Sequence, residues 1–274
     1  MNIKLYMCYH ENYPEIASDI IIPLSGMCEK GCHIALKNAY YSELTAMYWI
    51  WKNVKAEVVG LFHYRRFINL HDSATKVHKI GKNFAIEHGL TKQRISELMH
   101  NYDVILPRLV PNKVKNSTPT VYEYYAEHHN IKDMDQVLEI IKQKYPAMQQ
   151  LSDKIIKQEK QNYYANILIA KKELFDEYAS WLFDILFTLE NKIQSKVLKR
   201  GKYQRRVYGF LAERLLRIFF TYKREKDNIK ICEAPILYIE DSKVNYIRYI
   251  WRNIKRACLK KLGLGKEDWD FYVK

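Results

Sequence analysis

The sequence predicts an α/β fold, because short apolar runs of strand length alternate with longer segments of helical periodicity. Such alternation is typical of a sheet covered by helices. At 274 residues the chain is also long enough for one large domain. We therefore predict one α/β domain over residues 1–242 and a distinct segment over residues 243–274.

The first predicted strand is residues 3–9, a short run in which apolar side chains dominate (IKLYMCY). His10, Glu11 and Asn12 follow it, at the end where strands of an open sheet present loops to ligands. Residues 26–38 are predicted to form a loop with a short strand.

Residues 42–53 predict an amphipathic helix from apolar side chains at helical spacing. Ser42 is the predicted N-cap, with Glu43 and Thr45 in the first turn. The next element, residues 57–67, is predicted to be a single buried strand because it begins with a β-branched apolar run.

This strand leads into His63-Tyr64-Arg65-Arg66, a dense cluster of cations and hydrogen-bond donors. Such a cluster at a strand end suits an anion, and the planar fork of arginine pairs with two phosphate oxygens at once. A structural ion pair with a carboxylate such as Glu43 is the alternative. Since neighbouring strand residues face opposite sides, one arginine is expected to face a ligand and the other a buried carboxylate.

The later elements follow from the same patterns, with the polar residues 72–89 as a surface loop and residues 194–204 as a basic loop. The Asp133-Met134-Asp135 sequence is interpreted as a helix start, with Asp133 as N-cap. Further helices are predicted over residues 91–101, 120–127, 133–144, 151–161, 173–190 and 207–222. Further strands are predicted over residues 103–107, 165–170 and 229–239.

The composition limits the classes of protein that the chain can belong to. Its formal net charge of +14 suggests nucleic acid as a partner, but no helix-turn-helix, zinc finger or RNA-binding motif occurs. The cysteine residues bear on the compartment and on metal binding. Five scattered cysteines indicate a reducing compartment.

A zinc site at Cys28, Cys32 and His33 is disfavoured because structural zinc takes four ligands. No secretory signal and no apolar run of about 18 residues is visible, so we expect a cytoplasmic protein without a spanning helix.

Several segments together resemble one family. They are SELTAMYWIWKN, VGLFHYRRF and DVILPR, followed by NYYANILIAKKELFDEYASWLFDILFTLE and RVYGFLAERLL. They occur in the order seen in DUF4422, a family of bacterial polysaccharide-biosynthesis proteins regarded as glycosyltransferases, over about residues 2–240. The resemblance implies a GT-A-like (Rossmann-like) mixed sheet flanked by helices. It also implies transfer of galactofuranose or galactose from a nucleotide-sugar, a UDP-sugar, to a lipid-linked intermediate of capsule or O-antigen.

The resemblance also implies a donor site. Most GT-A enzymes hold a divalent cation at a strand end, where this chain has the basic cluster, so the cations are expected to pair with the diphosphate directly. No metal is therefore expected, and Mn²⁺ or Mg²⁺ is not favoured. The residues implied for nucleotide-sugar binding are His63, Tyr64, Arg65, Arg66, Asn38, Glu43, Asn166 and Arg206.

On the acceptor side the resemblance implies a carboxylate base, Glu213, that takes the proton of the acceptor hydroxyl. His128 and His129 are expected to line the acceptor cleft. A structural role is the alternative for each of these three residues. Glu213 can form an ion pair with Arg214, and either histidine can be a structural residue of the core. Lys202, Arg205 and Arg206 are expected to lie on a flexible loop that closes over the diphosphate, or on a solvated loop.

The segment 243–274 predicts a basic amphipathic C-terminal helix, with apolar residues on one stripe and lysine and arginine around it. Such helices lie on anionic membrane surfaces, so we expect peripheral attachment at the inner face of the cytoplasmic membrane. Packing on the domain is the alternative. A non-catalytic nucleotide-sugar or glycan-binding subunit and a nucleic-acid-binding protein are the rival functions.

Overall fold

A computed structural model describes residues 1–10, 13, 15–71, 76–77, 80–114, 116–239 and 258. Glu11 and Asn12 of the first predicted ligand loop lie outside the described residues. So do the predicted domain boundary at residue 242 and the amphipathic tail, apart from Cys258, which is helical and exposed. Among the described residues, no helix has the length and apolarity needed to cross a membrane.

The core of the fold is a mixed sheet in which the third strand is central. It pairs in parallel with the first strand and antiparallel with the ninth and fourth. The sheet follows the order β10-β6-β9-β3-β4-β11-β5, with β1 beside β3 and β2 beside β1, while β7 and β8 form a separate pair. The strands are β1 Ile3–Tyr9, β2 Ile21–Ser25, β3 Val58–His63, β4 Arg66–Ile68, β5 Lys76–Val77, β6 Val104–Pro107, β7 Val110–Pro111, β8 Gln161–Asn162, β9 Leu168–Lys171, β10 Ile231–Ala234 and β11 Ile236–Ile239.

Helices cover both faces of the sheet, because the central strand is apolar on both sides. Val59 and Leu61 join the larger hydrophobic cluster, while Val58 and Phe62 join the smaller one. The predicted α/β class with a mixed sheet flanked by helices is thereby confirmed. The helices are α1 Asn38–Tyr41, α2 Leu44–Asn53, α3 Phe84–Glu87, α4 Lys92–Asn101, α5 Val121–His128, α6 Ile131–Lys144, α7 Gln149–Lys157, α8 Lys172–Val197 and α9 Val207–Asp227, with 3₁₀ turns at Ala35–Lys37, Pro146–Met148 and Gln204–Arg206.

The predicted single strand over residues 57–67 is wrong, because the chain reverses inside it. Strand β3 ends at His63, Tyr64 and Arg65 form a two-residue turn, and β4 begins at Arg66, which pairs with His63. The side chains of Arg65 and Arg66 therefore do not alternate along one strand, as was expected, since Arg65 lies in the turn.

Ser42 is not the N-cap of a helix, contrary to prediction, but the C-cap of α1. It has φ 52° and ψ −128° and forms the sharp bend between α1 and α2, which begins at Leu44. The predicted strand over residues 229–239 is also divided, because Pro235 lacks the N–H that a continuous ladder requires. Its halves, β10 and β11, pair with different strands.

Asp133 is not the N-cap of α6. Asn130 takes that position, and its side chain accepts from the backbone N–H of Lys132 at 3.1 Å. Asp133 lies in the first turn and is bound elsewhere, as described below. Thr91, in contrast, is the N-cap of α4, and its side chain accepts from the backbone N–H of Arg94 at 3.3 Å.

The close approach of strands at Gly60 gives a test of this packing. A Cβ atom at Gly60 would lie 2.7 Å from Leu5 Cδ2 and 3.1 Å from the carbonyl oxygen of Leu168. Gly60→Ala should therefore lower the free energy of unfolding by about 1–3 kcal/mol in urea titrations. Gly81→Ala is the matched control, because a Cβ there meets nothing within 4 Å. Equal stability of the two variants would contradict the described strand packing.

Candidate functional site

A cavity of about 1230 Å³ opens at the carboxyl ends of β1 and β3, where Cys8 and His63 lie side by side in the register. We call it the basic cavity, because the described residues that line it include seven lysines and arginines and one carboxylate, Glu43. This is the end of a sheet at which α/β proteins bind ligands. The basic lining residues are Arg65, Arg66, Lys76, Arg200, Lys202, Arg205 and Arg206.

A second cavity, of about 490 Å³, adjoins the first. We call it the aromatic cavity, after the lining side chains Tyr124, Tyr164, Tyr203 and Phe210. The two cavities share four lining residues, so a reacting group can lie between them. These shared residues are Glu43, Arg66, Arg206 and Tyr238.

Glu43 is held at this junction by a buried amide. Asn166 Nδ2 donates to Glu43 Oε1 at 2.5 Å and to the carbonyl oxygen of Gly209 at 3.1 Å. A strand was predicted over residues 165–170, but Asn166 lies before the observed strand, because β9 begins at Leu168. Its side chain is fully buried and lines neither cavity. Direct contact of Asn166 with a sugar stays a prediction, and in this geometry the side chain acts through Glu43.

Unusual backbone conformations precede both members of this pair. Ser42, directly before Glu43, has φ 52°, and Ala165, directly before Asn166, has φ 133°. They are two of the three non-glycine residues with positive φ in the described part of the chain. Such conformations persist only where the surrounding structure imposes them, and they cluster at ligand sites.

His63 is neutral at pH 7 in this environment. Burial lowers its pKa to about 4, Arg66, Arg206 and His10 add to the effect, and Glu43 opposes it. Its Nε2 is buried, lies 3.8 Å from Glu43 Oε1 and has no hydrogen-bond partner among the described residues. The expectation that His63 contributes positive charge is therefore wrong. Since a neutral imidazole can ligate a metal, the charge argument against a metal holds only for the arginines.

Glu43 remains ionised despite its burial. Burial alone would raise its pKa, but His63, Arg206 and the Asn166 amide bring the pKa below its ordinary value. At neutral pH the charge of Arg206 and the amide N–H supply this stabilisation, because His63 is uncharged there. A permanent negative charge therefore lies where the two cavities meet.

The three arginines predicted to bind an anion, Arg65, Arg66 and Arg206, all line the basic cavity. The exposed Arg65 guanidinium lies 5.1 Å from the centre of the Tyr64 ring. Arg66 is half-buried and reaches both cavities. Arg206 is exposed, and its Nε donates to Ser42 Oγ at 2.8 Å. Two arginine forks therefore border the junction from opposite elements, β4 and the turn before α9.

The side-chain amide of Asn38 mainly makes hydrogen bonds within the fold. Its Nδ2 lies within hydrogen-bond distance of the carbonyl oxygens of Gly26 and Ser42, both at 3.1 Å, and of Thr45 Oγ1 at 2.9 Å. It lines the basic cavity, so a ligand would use its Oδ1. Asn38 thus shapes the basic cavity mainly by closing the bend at Ser42.

Glu213 lines the aromatic cavity, and its pKa is raised. Burial is the main cause, while Arg214, Arg66 and Arg206 act against it. Arg214 Nη1 donates to Glu213 Oε2 at 2.8 Å, so the alternative ion pair is present, while the role of Glu213 as a base stays a prediction. A carboxylate with a raised pKa is suited to accept a proton near neutral pH.

The basic loop is tied to the fold by hydrogen bonds of Arg200 and Arg205, and closure of the loop over a diphosphate stays a prediction. Arg200 pairs with Asp133 through two parallel hydrogen bonds of 2.6 and 2.8 Å, and both side chains are buried. Arg205 Nε in turn donates to the carbonyl oxygen of Arg200 at 2.7 Å. This arrangement places Lys202 and Arg205 on the wall of the basic cavity.

Both predicted histidines, His128 and His129, line the aromatic cavity, and their contact with an acceptor stays a prediction. His129 is buried, and its Nδ1 lies 3.0 Å from Gln204 Oε1. Gln204 Nε2 donates to the carbonyl oxygen of His128 at 2.9 Å. His129 therefore also fixes the turn before α9, whereas the half-buried His128 is more accessible from the cavity.

The aromatic side chains that line this cavity were not predicted from the sequence. Tyr124 lies one turn before His128 on α5, and that spacing was a usable signal. Tyr164 and Tyr238 had no local pattern that set them apart from core residues. Among the described residues, no group of three histidine, cysteine, aspartate or glutamate side chains is arranged to hold a metal ion.

Comparisons with known proteins identify relatives of this chain. The family model described as a domain of unknown function, DUF4422, matches residues 4–225. A solved structure described as the WbbM bifunctional glycosyltransferase in its apo form is similar, with a TM-score of 0.80 and 26% identity. The match covers 88% of this chain and 46% of that chain, so this chain spans about half of its length. No curated protein matches the chain.

The buried neutral His63 gives a pH prediction. Between its folded pKa of about 4 and the ordinary value of 6.5, the unfolded chain binds a proton that the folded chain does not. Acidification from pH 7 to 4 should therefore lower the free energy of unfolding, by about 3 kcal/mol from this residue.

His63→Gln should flatten this slope in urea titrations across pH 4 to 7. His100→Gln removes an exposed imidazole on α4 and should keep the wild-type slope. Parallel slopes for wild type and His63→Gln would show that His63 titrates alike in the folded and unfolded chains.

Proposed function

The chain belongs to the DUF4422 family, and on that premise we propose that it is a glycosyltransferase that moves a hexosyl group from a nucleotide-sugar to a glycan. The observation that supports this most is the pair of adjoining cavities of different chemistry, joined at an ionised carboxylate. The similarity to WbbM, described as a bifunctional glycosyltransferase, over 88% of the chain supports the same class. In this proposal the donor is a UDP-sugar carrying galactose or galactofuranose.

The basic cavity is the proposed donor site. Arg65, Arg66 and Arg206 pair with the diphosphate, and their charges stabilise the leaving nucleotide as the glycosidic bond breaks. Neutral His63 supplies a hydrogen bond and no charge, and Tyr64 supports the arginine beside it. Arginine suits this role because its fork pairs with two oxygens in fixed geometry.

The aromatic cavity is the proposed acceptor site. Glu213 takes the proton of the acceptor hydroxyl, the freed oxygen bonds to the anomeric carbon, and the bond from that carbon to the diphosphate breaks. The electron pair of that bond leaves with the nucleotide diphosphate. His128 and His129 line the aromatic cavity. Glu43 faces the transferred sugar at the junction of the two cavities.

Metal-independent transfer is part of the proposal. The described residues around the basic cavity do not fit a divalent cation, because their one carboxylate, Glu43, is surrounded by arginine and lysine. Mg²⁺ and Mn²⁺ are usually held by carboxylates, and among the described lining residues Glu43 is the one carboxylate. We therefore assign the neutralisation of the diphosphate to the arginines.

The lipid-linked acceptor and the membrane location are further parts of the proposal, supported by the sequence of residues 243–274. The basic amphipathic pattern there suits the anionic inner face of a cytoplasmic membrane. An enzyme attached there would extend lipid-linked intermediates of capsule or O-antigen.

Turnover of UDP-hexoses tests the residue roles. Glu213→Gln should lower kcat about 10²- to 10⁴-fold with a nearly unchanged donor KM, because only proton removal is lost. Arg66→Ala should raise the donor KM at least about tenfold, since a charge-assisted contact is lost. Arg224→Ala, on an exposed turn of α9 that lines neither cavity, should match wild type.

Wild-type turnover in Glu213→Gln and Arg66→Ala would reject these assignments. A wild-type protein that binds nucleotide-sugars without turnover would be a binding subunit. Tight, strongly salt-dependent DNA binding without nucleotide binding would instead indicate a nucleic-acid-binding protein.

Thermal stability with UDP tests the metal assignment. UDP at 100 times its dissociation constant should stabilise the protein by about 2.7 kcal/mol. We expect the same shift in Tm with EDTA and with Mn²⁺. A shift that requires Mn²⁺ would overturn the assignment to arginine while leaving the transferase proposal intact.

A further inference from the structure

The two cavities differ in a way that identifies the group entering the second one. Resting on the proposed function, we propose that the aromatic cavity binds an uncharged sugar ring at the end of a glycan, with Tyr124 as the surface on which the ring stacks. The lipid diphosphate of the acceptor would then lie outside this cavity.

The first observation is the aromatic wall itself. Tyr124 is half-buried, and its ring centre lies 4.5 Å from that of His128 and 5.5 Å from that of Tyr164. The three side chains come from α5 and from the segment before β9, so they form a continuous wall from two elements. A sugar ring has an apolar C–H face, and a half-buried aromatic surface of this kind matches that face.

The wall is held rigidly in place. Tyr164 OH donates to Asn112 Oδ1, and Asn112 is fully buried and donates from its Nδ2 to the carbonyl oxygen of Pro119 at 3.0 Å. The guanidinium of Arg214 lies 5.8 Å from the centre of the Tyr164 ring. A wall fixed from behind in this way loses little entropy when a ligand stacks on it.

The second observation is charge. Apart from the residues shared with the basic cavity, the charged lining residues among those described are Lys113, Glu213 and Arg214. Glu213 and Arg214 form an ion pair at 2.8 Å, so their charges cancel and Lys113 adds one positive charge, against seven basic side chains around the basic cavity. An anionic acceptor group would instead be drawn to the arginine-rich basic cavity, where it would compete with the donor diphosphate. An uncharged acceptor avoids this competition.

The third observation is the placement of polar groups around the wall. Glu213 and His128 line the same cavity as Tyr124, so hydroxyls at the edge of a stacked ring have acceptors and donors within the cavity. A volume of about 490 Å³ lies in the lower part of the usual range for small-molecule pockets and suits one or two sugar rings.

Another tyrosine on the same helix provides the control. Tyr122 is half-buried like Tyr124, but it lines neither cavity and its OH donates to Asp135 Oδ1 at 2.9 Å. Replacement of either ring by alanine removes the same volume from α5. An effect confined to Tyr124 therefore reports on the cavity and not on the helix.

The experiment uses the full chain, a UDP-hexose donor and a panel of p-nitrophenyl hexosides as neutral acceptors. It measures donor hydrolysis without acceptor, the KM for each substrate, and Tm. Tyr124→Ala should raise the acceptor KM about tenfold and leave the donor KM and donor hydrolysis unchanged. Tyr124→Phe, which keeps the ring, and Tyr122→Ala should retain the wild-type acceptor KM.

The outcomes separate this inference from the proposed function. Absence of donor hydrolysis and transfer in the wild type would reject the proposed function itself. Donor hydrolysis without transfer to any neutral hexoside, or a preference for the same hexoses bearing a phosphate, would overturn the inference alone. An unchanged acceptor KM in Tyr124→Ala, or an equal loss in Tyr124→Phe, would overturn the stacking role.

Discussion

The hydrogen bond between Asn166 and Glu43 is the interaction on which the rest of the site depends. It joins the bend between α1 and α2 to the segment before β9, and the second donor hydrogen of the amide joins both to α9 at Gly209. Each of these connections brings an element carrying site residues to the central strands of the sheet. The backbone strain at Ser42 and Ala165, of about 1–3 kcal/mol each, must be offset by this packing. The site is therefore built by long-range contacts and not by one local motif.

Charge and burial shift the pKa values of two carboxylates in opposite directions. His63, Arg206 and the Asn166 amide lower the pKa of Glu43, whereas burial raises the pKa of Glu213. Environments that shift two neighbouring carboxyl groups in opposite directions are typical of acid–base pairs in enzymes. Arg66 and Arg206 lie on the border of both cavities, so they bring positive charge to the place where a diphosphate would leave. The basic loop adds Lys202 and Arg205 to the positively charged lining of the basic cavity.

The sequence predicted the parts of this site that local patterns can reveal. The strand before His63 and the cation cluster after it were evident, because apolar periodicity and residue type are local properties. The turn at Tyr64 and Arg65 was not predicted, because it contains none of the glycine, asparagine or proline residues that usually mark turns. The anchoring of the basic loop was also missed, since Asp133 and Arg200 are 67 residues apart. Contacts of that separation leave no periodic trace in the sequence.

In the proposed function a nucleotide-sugar lies in the basic cavity with its sugar at Glu43, and a crystal structure of the full chain with UDP would test this placement. We expect the diphosphate on the Arg66 and Arg206 guanidinium groups, with the terminal phosphate directed toward the junction of the two cavities. A diphosphate bound elsewhere, or one held through a metal ion and away from these arginines, would contradict it.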